Sequence, residues 1–297
     1  MASEVRIVAV DAPSGSTTRA MARIDELERR WSRFRPTSDI SRINRAAGAE
    51  VPVSSDTIVL VAAMVEGWRS SAGRFDPTTL PDLVGAGYGR SVVDGCPAVP
   101  LPAAARRGAD LREIVLDPLA STVRVPAGTV LDPGGIGKGL AADLVATDLV
   151  DAGAGGVLVS IGGDLVVAGT PPRRDRWAID VEDPLAPATA IVTLHVDRGG
   201  IATSSTESRR WRVHGAPRHH LIDPTTGHPA RTDLASATVV AETAWQAEVA
   251  ATAALLLGRG DGLAHLAGEG LAGVLVGRDG TALTSPATPS WAPGAVP

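Results

Sequence analysis

Twice in this chain an alanine-rich helical stretch leads into a Gly-Val-Leu-Val run and a tight turn. The first helix is expected over 137–152, closed by Gly153, and its hairpin over 156–169, where two apolar runs flank Gly162-Gly163-Asp164. The second helix is expected over 243–257, with a further helix near 261–267 and a hairpin over 273–280. Each unit switches from a helical period to short apolar strands joined by glycine turns. Hairpins of this kind pair antiparallel, and the helices beside them need a sheet face to cover. The repetition is weak evidence for an internal helix–hairpin duplication, because such units are common.

The rest of the chain fits that pattern. Residues 4–10 alternate weakly and read as a strand. Met21, Ile24, Leu27, Trp31 and Phe34 recur at spacings of three and four, which predicts a helix over 16–34. A second helix is expected over 55–72, started by Ser54/Ser55 and stopped by Gly73. Residues 74–91 read as a Gly/Pro-rich loop holding Phe75-Asp76-Pro77-Thr78. Short strands are expected near 113–116 and 123–125. Strands over 177–181 and 190–196 are expected to extend the sheet. Thr243 and Gln246 have the spacing of a capping box. The Pro-rich tail from Ser285 is expected to gain order only by docking.

At 297 residues and 44% hydrophobic, the chain has ample material for a core. A net charge of −5 argues against a nucleic-acid or anionic-membrane surface. The single Cys96 excludes an internal disulfide and any cysteine-based metal cluster. No apolar run reaches the ~18 residues of a membrane span. Neither a basic-then-apolar leader nor a lipobox cysteine is visible. As it stands the chain is expected to be soluble and cytoplasmic, with export of a longer precursor left open.

Lys138 is the only lysine beside 27 arginines, and it sits in Asp132-Pro133-Gly134-Gly135-Ile136-Gly137-Lys138-Gly139. An ammonium is a compact charge on a thin stem, suited to one oxygen in a tight backbone-lined pocket. Glycines let a ligand approach the main chain, and the helix that follows favours an anion at its N-terminus. The competing reading is arginine bias with one surviving surface lysine. No hydroxyl follows Lys138, so this is not a Walker A loop. The residues alone reach a phosphate-bearing ligand. Asp143, in the first turns of that helix, reads as a structural complement to the helix dipole.

Asn44 is the only Asn and Tyr88 the only Tyr, both in stretches read as polar loops, and Phe34 is one of two Phe. Glu248 and Thr252, four apart on one helical face, could share a hard cation such as Mg2+. The segment from His219 to Pro229 offers histidines as a base, although Asp-Pro-Thr-Thr-Gly is also plain turn chemistry.

Several short motifs run in a fixed order. They are Ser32-Arg33-Phe34 with Ser38 to Asn44; Gly73 to Thr78; Gly87-Tyr88-Gly89; Asp132 to Asp143; Gly162-Gly163-Asp164; Ala202-Thr203-Ser204; His220 to Gly227; and Ala244 to Glu248 with Ala251-Thr252. In this order the chain resembles the ApbE family of flavin transferases (FAD:protein FMN transferases). The resemblance implies a mixed α/β (α+β) fold of antiparallel sheets with packed helices, in one ApbE-like FAD-binding catalytic domain spanning 1–297. It implies Mg2+-assisted cleavage of FAD, with FMN passed as a phosphoester to a Thr or Ser of an acceptor flavoprotein and AMP released. Positions matching Phe34, Ala86, Gly87, Tyr88, Asp132, Lys138, Leu221 and Ile222 are implied to bind FAD, and Asn44, singled out by its rarity, is expected to join them. Gly135, Glu248, Ala251 and Thr252 are implied to surround the metal, and His220 and Lys138 to serve the transfer. Glu248 stands where the family usually has Asp, Ala86 replaces a usual Trp, and Ser205 replaces a usual Gly. The family's frequent N-terminal Met-Gly-Thr is absent. An FAD-binding protein without transfer and a metal-dependent FAD pyrophosphatase are the alternative readings.

Overall fold

The computed structural model describes residues 3–90, 99–173 and 175–287. Strand β1 (Val5–Val10) and helix α1 (Ser16–Trp31) open the chain. Helix α1 stops three residues before 34. The Ser32 N–H makes an α-type bond to Glu28 O, and Pro36 disfavours helical backbone at Arg35, so Phe34 turns off the helix. Helix α2 (Asp39–Arg45) replaces the polar loop expected around Asn44; Ser38 caps it, its hydroxyl accepting from Ser41 N at 3.0 Å. Strand β2 (Val51–Pro52) and helix α3 (Ser55–Ser70), capped by Ser54, follow. Helix α4 (Leu80–Gly85), with Pro81 in its first turn, interrupts the expected loop over 74–91. Ser91, where that loop was expected to end, lies outside the described residues, and so does Cys96.

Strands β3 (Val115–Asp117) and β4 (Thr122–Arg124) precede helix α5 (Gly137–Asp151). Strands β5 (Gly156–Ile161) and β6 (Asp164–Gly169) form the expected hairpin, turning on Gly162 and Gly163 at φ +61° and +91°. Next come β7 (Trp177–Glu182), β8 (Ala190–Val196) and β9 (Gly199–Ser205). Two small hairpins follow, β10 (Arg210–Val213) with β11 (Ala216–His219), and β12 (Ile222–Asp223) with β13 (His228–Pro229). Strand β14 (Leu234–Ala241) leads to helix α6 (Ala244–Gly268), then β15 (Ala272–Gly277) and β16 (Ala282–Thr284). Within α6, Gly258 at φ +81° breaks the helix where the sequence places a boundary, after 257. The tail begins tied down: Ser285 donates to Leu271 O and accepts from Gly273 N, and 288–297 lie outside the described residues.

The chain forms two compact units, one of residues 24–137 and 209–230, the other of 3–23, 138–208 and 231 onward. The first holds a three-stranded sheet, β2-β4-β3, and the two small hairpins. Ile40, Ile43, Leu60, Met64, Leu80, Leu111 and Leu131 are essentially inaccessible within it.

The second unit is built on an antiparallel seven-stranded sheet, β1-β5-β6-β9-β14-β15-β16. The two helix–hairpin units contribute β5-β6 and β15-β16 to it. Strands β7 and β8 were expected to extend this sheet. Instead, among the described residues, they pair only with each other and lie across one face, because each buries alternate residues only. Trp177, Ile179, Val181, Val192, Leu194 and Val196 pack on Leu158, Leu165, Val167, Ile201, Val274 and Val276. Alternation puts Gly200, Ala202 and Ser204 on the opposite side of β9 from Ile201, and that side meets α6.

Candidate functional site

The second unit gathers a charged cluster where α5 meets α6. A Cβ on Gly139 would lie 2.6 Å from the carbonyl carbon and oxygen of Ala244 and 2.7 Å from Trp245 N, so only glycine allows the approach. A Cβ on Gly200 would overlap Ala244 from the sheet side. The start of α6 leaves no donor orphaned. Thr243 N donates to Gln246 Oε1 at 3.2 Å and Gln246 N to Thr243 Oγ1 at 3.4 Å, the capping box read in the sequence. Ala244 N and Trp245 N donate to the two carboxylate oxygens of Asp143 at 2.8 and 3.0 Å. Asp143 therefore complements the dipole of α6 as well as standing early in its own helix. Burial pushes its pKa up to about 6; the two N–H bonds oppose that shift and the Glu248 charge adds to it.

Through this junction α5 and α6 present Lys138 and Glu248 to each other. Lys138 Nζ donates to Glu248 Oε1 at 2.7 Å and to Asp164 Oδ2. Glu248 Oε2 accepts from Gly139 N at 2.9 Å, and Asp164 Oδ1 from Thr203 N at 3.2 Å. The side chains are 14% exposed for Lys138, 2% for Asp164 and 5% for Glu248. The lone lysine is thus a partly buried charge partner for two buried carboxylates, and by formal charge the three groups carry one excess negative charge. Such a site gains from a further cation, since uncompensated buried charge is costly.

Thr252 lies one turn beyond Glu248, half-buried, its hydroxyl 2.8 Å from Ser204 Oγ. Ala251 beside it is fully buried. Carboxylate and hydroxyl oxygens with a net negative charge fit a hard divalent cation, which retains waters and needs few protein ligands. No group of three or more His, Cys, Asp or Glu assembles for a metal among the described residues. Gly135 belongs to the first unit, in a 3-10 turn (Pro133–Gly135) where a Cβ would sit 3.2 Å from the Phe75 ring.

The first unit assembles a second cluster around Asp132. Asn44 spends both ends of its amide on one backbone residue: Nδ2 donates to Leu131 O at 2.9 Å and Oδ1 accepts from Leu131 N at 2.7 Å. Asp132 N donates to Pro77 O at 2.8 Å. The Phe75-Asp76-Pro77-Thr78 turn is locked by Asp76 Oδ1, which accepts from Thr78 N and Oγ1, both at 2.7 Å. These bonds fix the backbone at Asp132. Its Oδ1 accepts from Gly134 N at 2.9 Å and its Oδ2 lies 3.2 Å from Arg33 Nε.

Arg33 then organises the rings. Its guanidinium stands 4.0 Å over Phe34 and 5.3 Å from the Tyr88 centroid, and it donates to Tyr88 O at 3.0 Å. Phe34 meets Tyr88 edge-on, and Tyr88 stacks on Trp211 with centroids 5.2 Å apart. Ala86 and Gly87 form the C-terminal turn of α4. Leu221 and Ile222 are buried, Leu221 O accepting from Ala230 N and Ile222 pairing with Pro229. His220 joins β11 to this pair, half-buried. Asp223 to Gly227 makes the turn its sequence predicts, with Thr226 N and Gly227 N donating to Asp223 O.

The sequence profile of the ApbE family matches residues 1–275 of the 297. The chain belongs to the ApbE family. A relative from Klebsiella pneumoniae named FAD:protein FMN transferase is 28% identical over 284 residues, covering 93% of this chain and 81% of the relative. One from Salmonella typhimurium with the same name is 27% identical over 288 residues, with 93% and 81% covered. The crystal structure of the ApbE protein of Thermotoga maritima superposes with a TM-score of 0.83 at 25% identity, covering 96% of this chain and 94% of that one. The apo flavinyl transferase ApbE of Pseudomonas stutzeri gives 0.78 at 26% identity, with 96% and 95% covered. The mixed helix and antiparallel-sheet class expected from the sequence is therefore the ApbE fold. Arg33 and Trp211 in the cluster of the first unit, and Asp164 and Ser204 in that of the second, carried no role in the sequence reading. Asp164 is masked there by turn chemistry after Gly-Gly, and Arg33 is one of many arginines.

Proposed function

We propose that this protein transfers FMN from FAD to a Thr or Ser hydroxyl of a partner protein, forming a phosphoester and releasing AMP, with Mg2+ as the resident cation. The observation that carries this reading is the sole lysine, held between two buried carboxylates at the head of α5. An ammonium has three donors, and Asp164 and Glu248 take two, so one remains for a phosphate oxygen. Phosphoryl transfer asks mainly for positioning and charge neutralisation.

Glu248, Ala251 and Thr252 would hold the cation, with Gly135 the remaining candidate. When bound, Mg2+ supplies charge neutralisation on phosphate oxygens. Phe34, Ala86, Gly87, Tyr88, Leu221 and Ile222 serve the rings of FAD. Asp132, fixed by Asn44 through Leu131, offers a carboxylate for a ring or ribose donor. In the transfer the acceptor Oγ forms a bond to the FMN phosphorus while the bond from that phosphorus to the AMP oxygen breaks. The electron pair leaves with AMP, and His220 takes the hydroxyl proton. Lys138 offsets the charge on the pyrophosphate.

The test is mass spectrometry of an acceptor flavoprotein with a Ser/Thr-containing flavinylation motif, incubated with this protein, FAD and Mg2+. A gain equal to FMN minus water, with equimolar AMP, is the expected result. Free FMN and AMP with no gain would instead identify an FAD pyrophosphatase. Bound FAD with no turnover would identify a flavin-binding protein.

A further inference from the structure

We propose that Trp211 is a ring-binding residue, which with Tyr88 and Phe34 builds the surface that holds a flat heteroaromatic ring of the flavin nucleotide. The inference rests on the FAD reading above and assigns it a residue from the β10–β11 hairpin. Only 3% of the chain is aromatic, and its core is mainly aliphatic; among the described residues Trp31, Phe75 and Trp177 are the deeply buried rings. Phe34, Tyr88 and Trp211 are each only half-buried, yet they come together. A fold that can fill its interior with Val, Leu and Ala has no packing need for three partly exposed rings in one place.

The indole is held in a fixed plane. Trp211 Nε1 donates to Ala86 O at 2.8 Å, so the polar edge is satisfied and the ring faces are free of any hydrogen-bonding demand. One face stacks on Tyr88 with the planes 21° apart. Gly87, at φ +103°, makes room: a Cβ there would sit 3.1 Å from Trp211 Nε1 and 3.0 Å from Val213 Cγ2. Trp211 and Val213 are two apart on β10, so one face of the hairpin meets the Ala86-Gly87-Tyr88 turn. Ala86 brings no ring of its own, and the indole occupies the place beside its carbonyl.

The charge of the hairpin suits such a ligand. From Ser208 to Ile222 the chain has Arg209, Arg210, Arg212 and Arg218 and no carboxylate, although the whole protein is at −5. An aromatic surface on an acid-free strand pair matches a planar ring attached to phosphates. The same segment runs directly into His220, Leu221 and Ile222.

The experiment measures FAD, FMN and AMP affinity for the wild-type protein, W211A, W211L and W211F, by flavin fluorescence and calorimetry, with thermal unfolding as the folding check. W211A and W211L should lose roughly ten- to hundredfold in affinity, the range for removing one stacking partner. Flavin quenching should weaken in both, and W211F, which keeps a ring, should retain most of the affinity. Equal losses for FAD and FMN would place the isoalloxazine on Trp211; equal losses for FAD and AMP would place the adenine there. Either result supports the proposal. W211L keeps apolar bulk, so it decides the matter if W211A does not fold. Wild-type affinity and quenching in folded W211L would overturn the inference while leaving the FAD reading intact. A wild-type protein that binds neither FAD nor FMN would overturn both.

Discussion

Asp143→Asn tests whether the α5–α6 junction carries the electrostatic cost inferred for it. The Asp143 carboxyl moves from an ordinary 3.8 to about 6 in the folded protein, because burial outweighs two N–H bonds and the Glu248 charge adds to the shift. The charged groups facing it are Glu248 and the positive end of α6, through Ala244 N and Trp245 N. A raised carboxyl pKa means that folding favours the protonated form. The contribution to stability is therefore intact below about pH 3.8, declines as pH rises, and reaches its full loss above about pH 6. At ~1.36 kcal/mol per decade the total is roughly 3 kcal/mol, of which roughly 2 kcal/mol falls between about pH 4.5 and pH 7. Asn cannot ionise, and its single amide oxygen keeps one of the two helix donors. Urea unfolding of both proteins across that range gives a difference in which other carboxylates cancel. The wild type should lose about 2 kcal/mol relative to D143N on going from about pH 4.5 to pH 7. Parallel profiles would refute the reasoning, and a rise of the wild type relative to D143N would reverse its sign.

Three further outcomes follow from the same cluster. Gly139→Ala drives a methyl against the Ala244 backbone and should cost about 1–3 kcal/mol or more, read from urea midpoints, and should reduce transfer by separating Lys138 from Glu248; unchanged stability and activity would contradict the close approach. Lys138→Ala leaves Asp164 and Glu248 buried without their cation and should lower stability by about 3–5 kcal/mol while weakening FAD, measured by denaturation and fluorescence titration; Lys138→Arg should not restore both. Glu248→Gln should abolish flavin transfer by mass spectrometry yet hold FAD affinity within about tenfold, because a cation acts mainly on charge developing in the transition state; full activity in E248Q, or in EDTA, would remove the metal assignment.

What the sequence showed of the fold is what local pattern can encode. The 156–169 hairpin, the capping box at Thr243 and the break after 257 follow from glycine, threonine and period, and each is found. Leu234–Ala241 escapes pattern reading because it is buried on both faces, which erases the alternation that marks a strand. The misassignment of β7 and β8 has the opposite cause. Their alternation is clear, but it specifies one apolar face and says nothing about whether that face meets a sheet edge-on or lies across it. Helix α2 was hidden by its length, since seven residues give too few turns to show a period.

Rarity in the sequence located residues better than it assigned their roles. Lys138, Asn44 and Tyr88 each lie in one of the two clusters. Asn44, however, binds Leu131 through both amide groups, and what this fixes is the backbone next to Asp132. Lys138 is likewise committed to two carboxylates 26 and 110 residues away, and no spacing rule links those positions. Asp143 takes its second task from the first turn of a helix about 100 residues later. A residue's rarity reports that its own chemistry is needed; its partner is set by which elements the fold brings side by side. For Lys138 the consequence is specific. Its affinity for a phosphate depends on how much of its charge Asp164 and Glu248 already neutralise, so a cation drawn to those carboxylates would free the ammonium for the ligand. FAD affinity in wild type should therefore rise with added Mg2+, and in E248Q, where one carboxylate is already neutral, that rise should shrink. An equal Mg2+ effect in the two proteins would separate the lysine from the metal site.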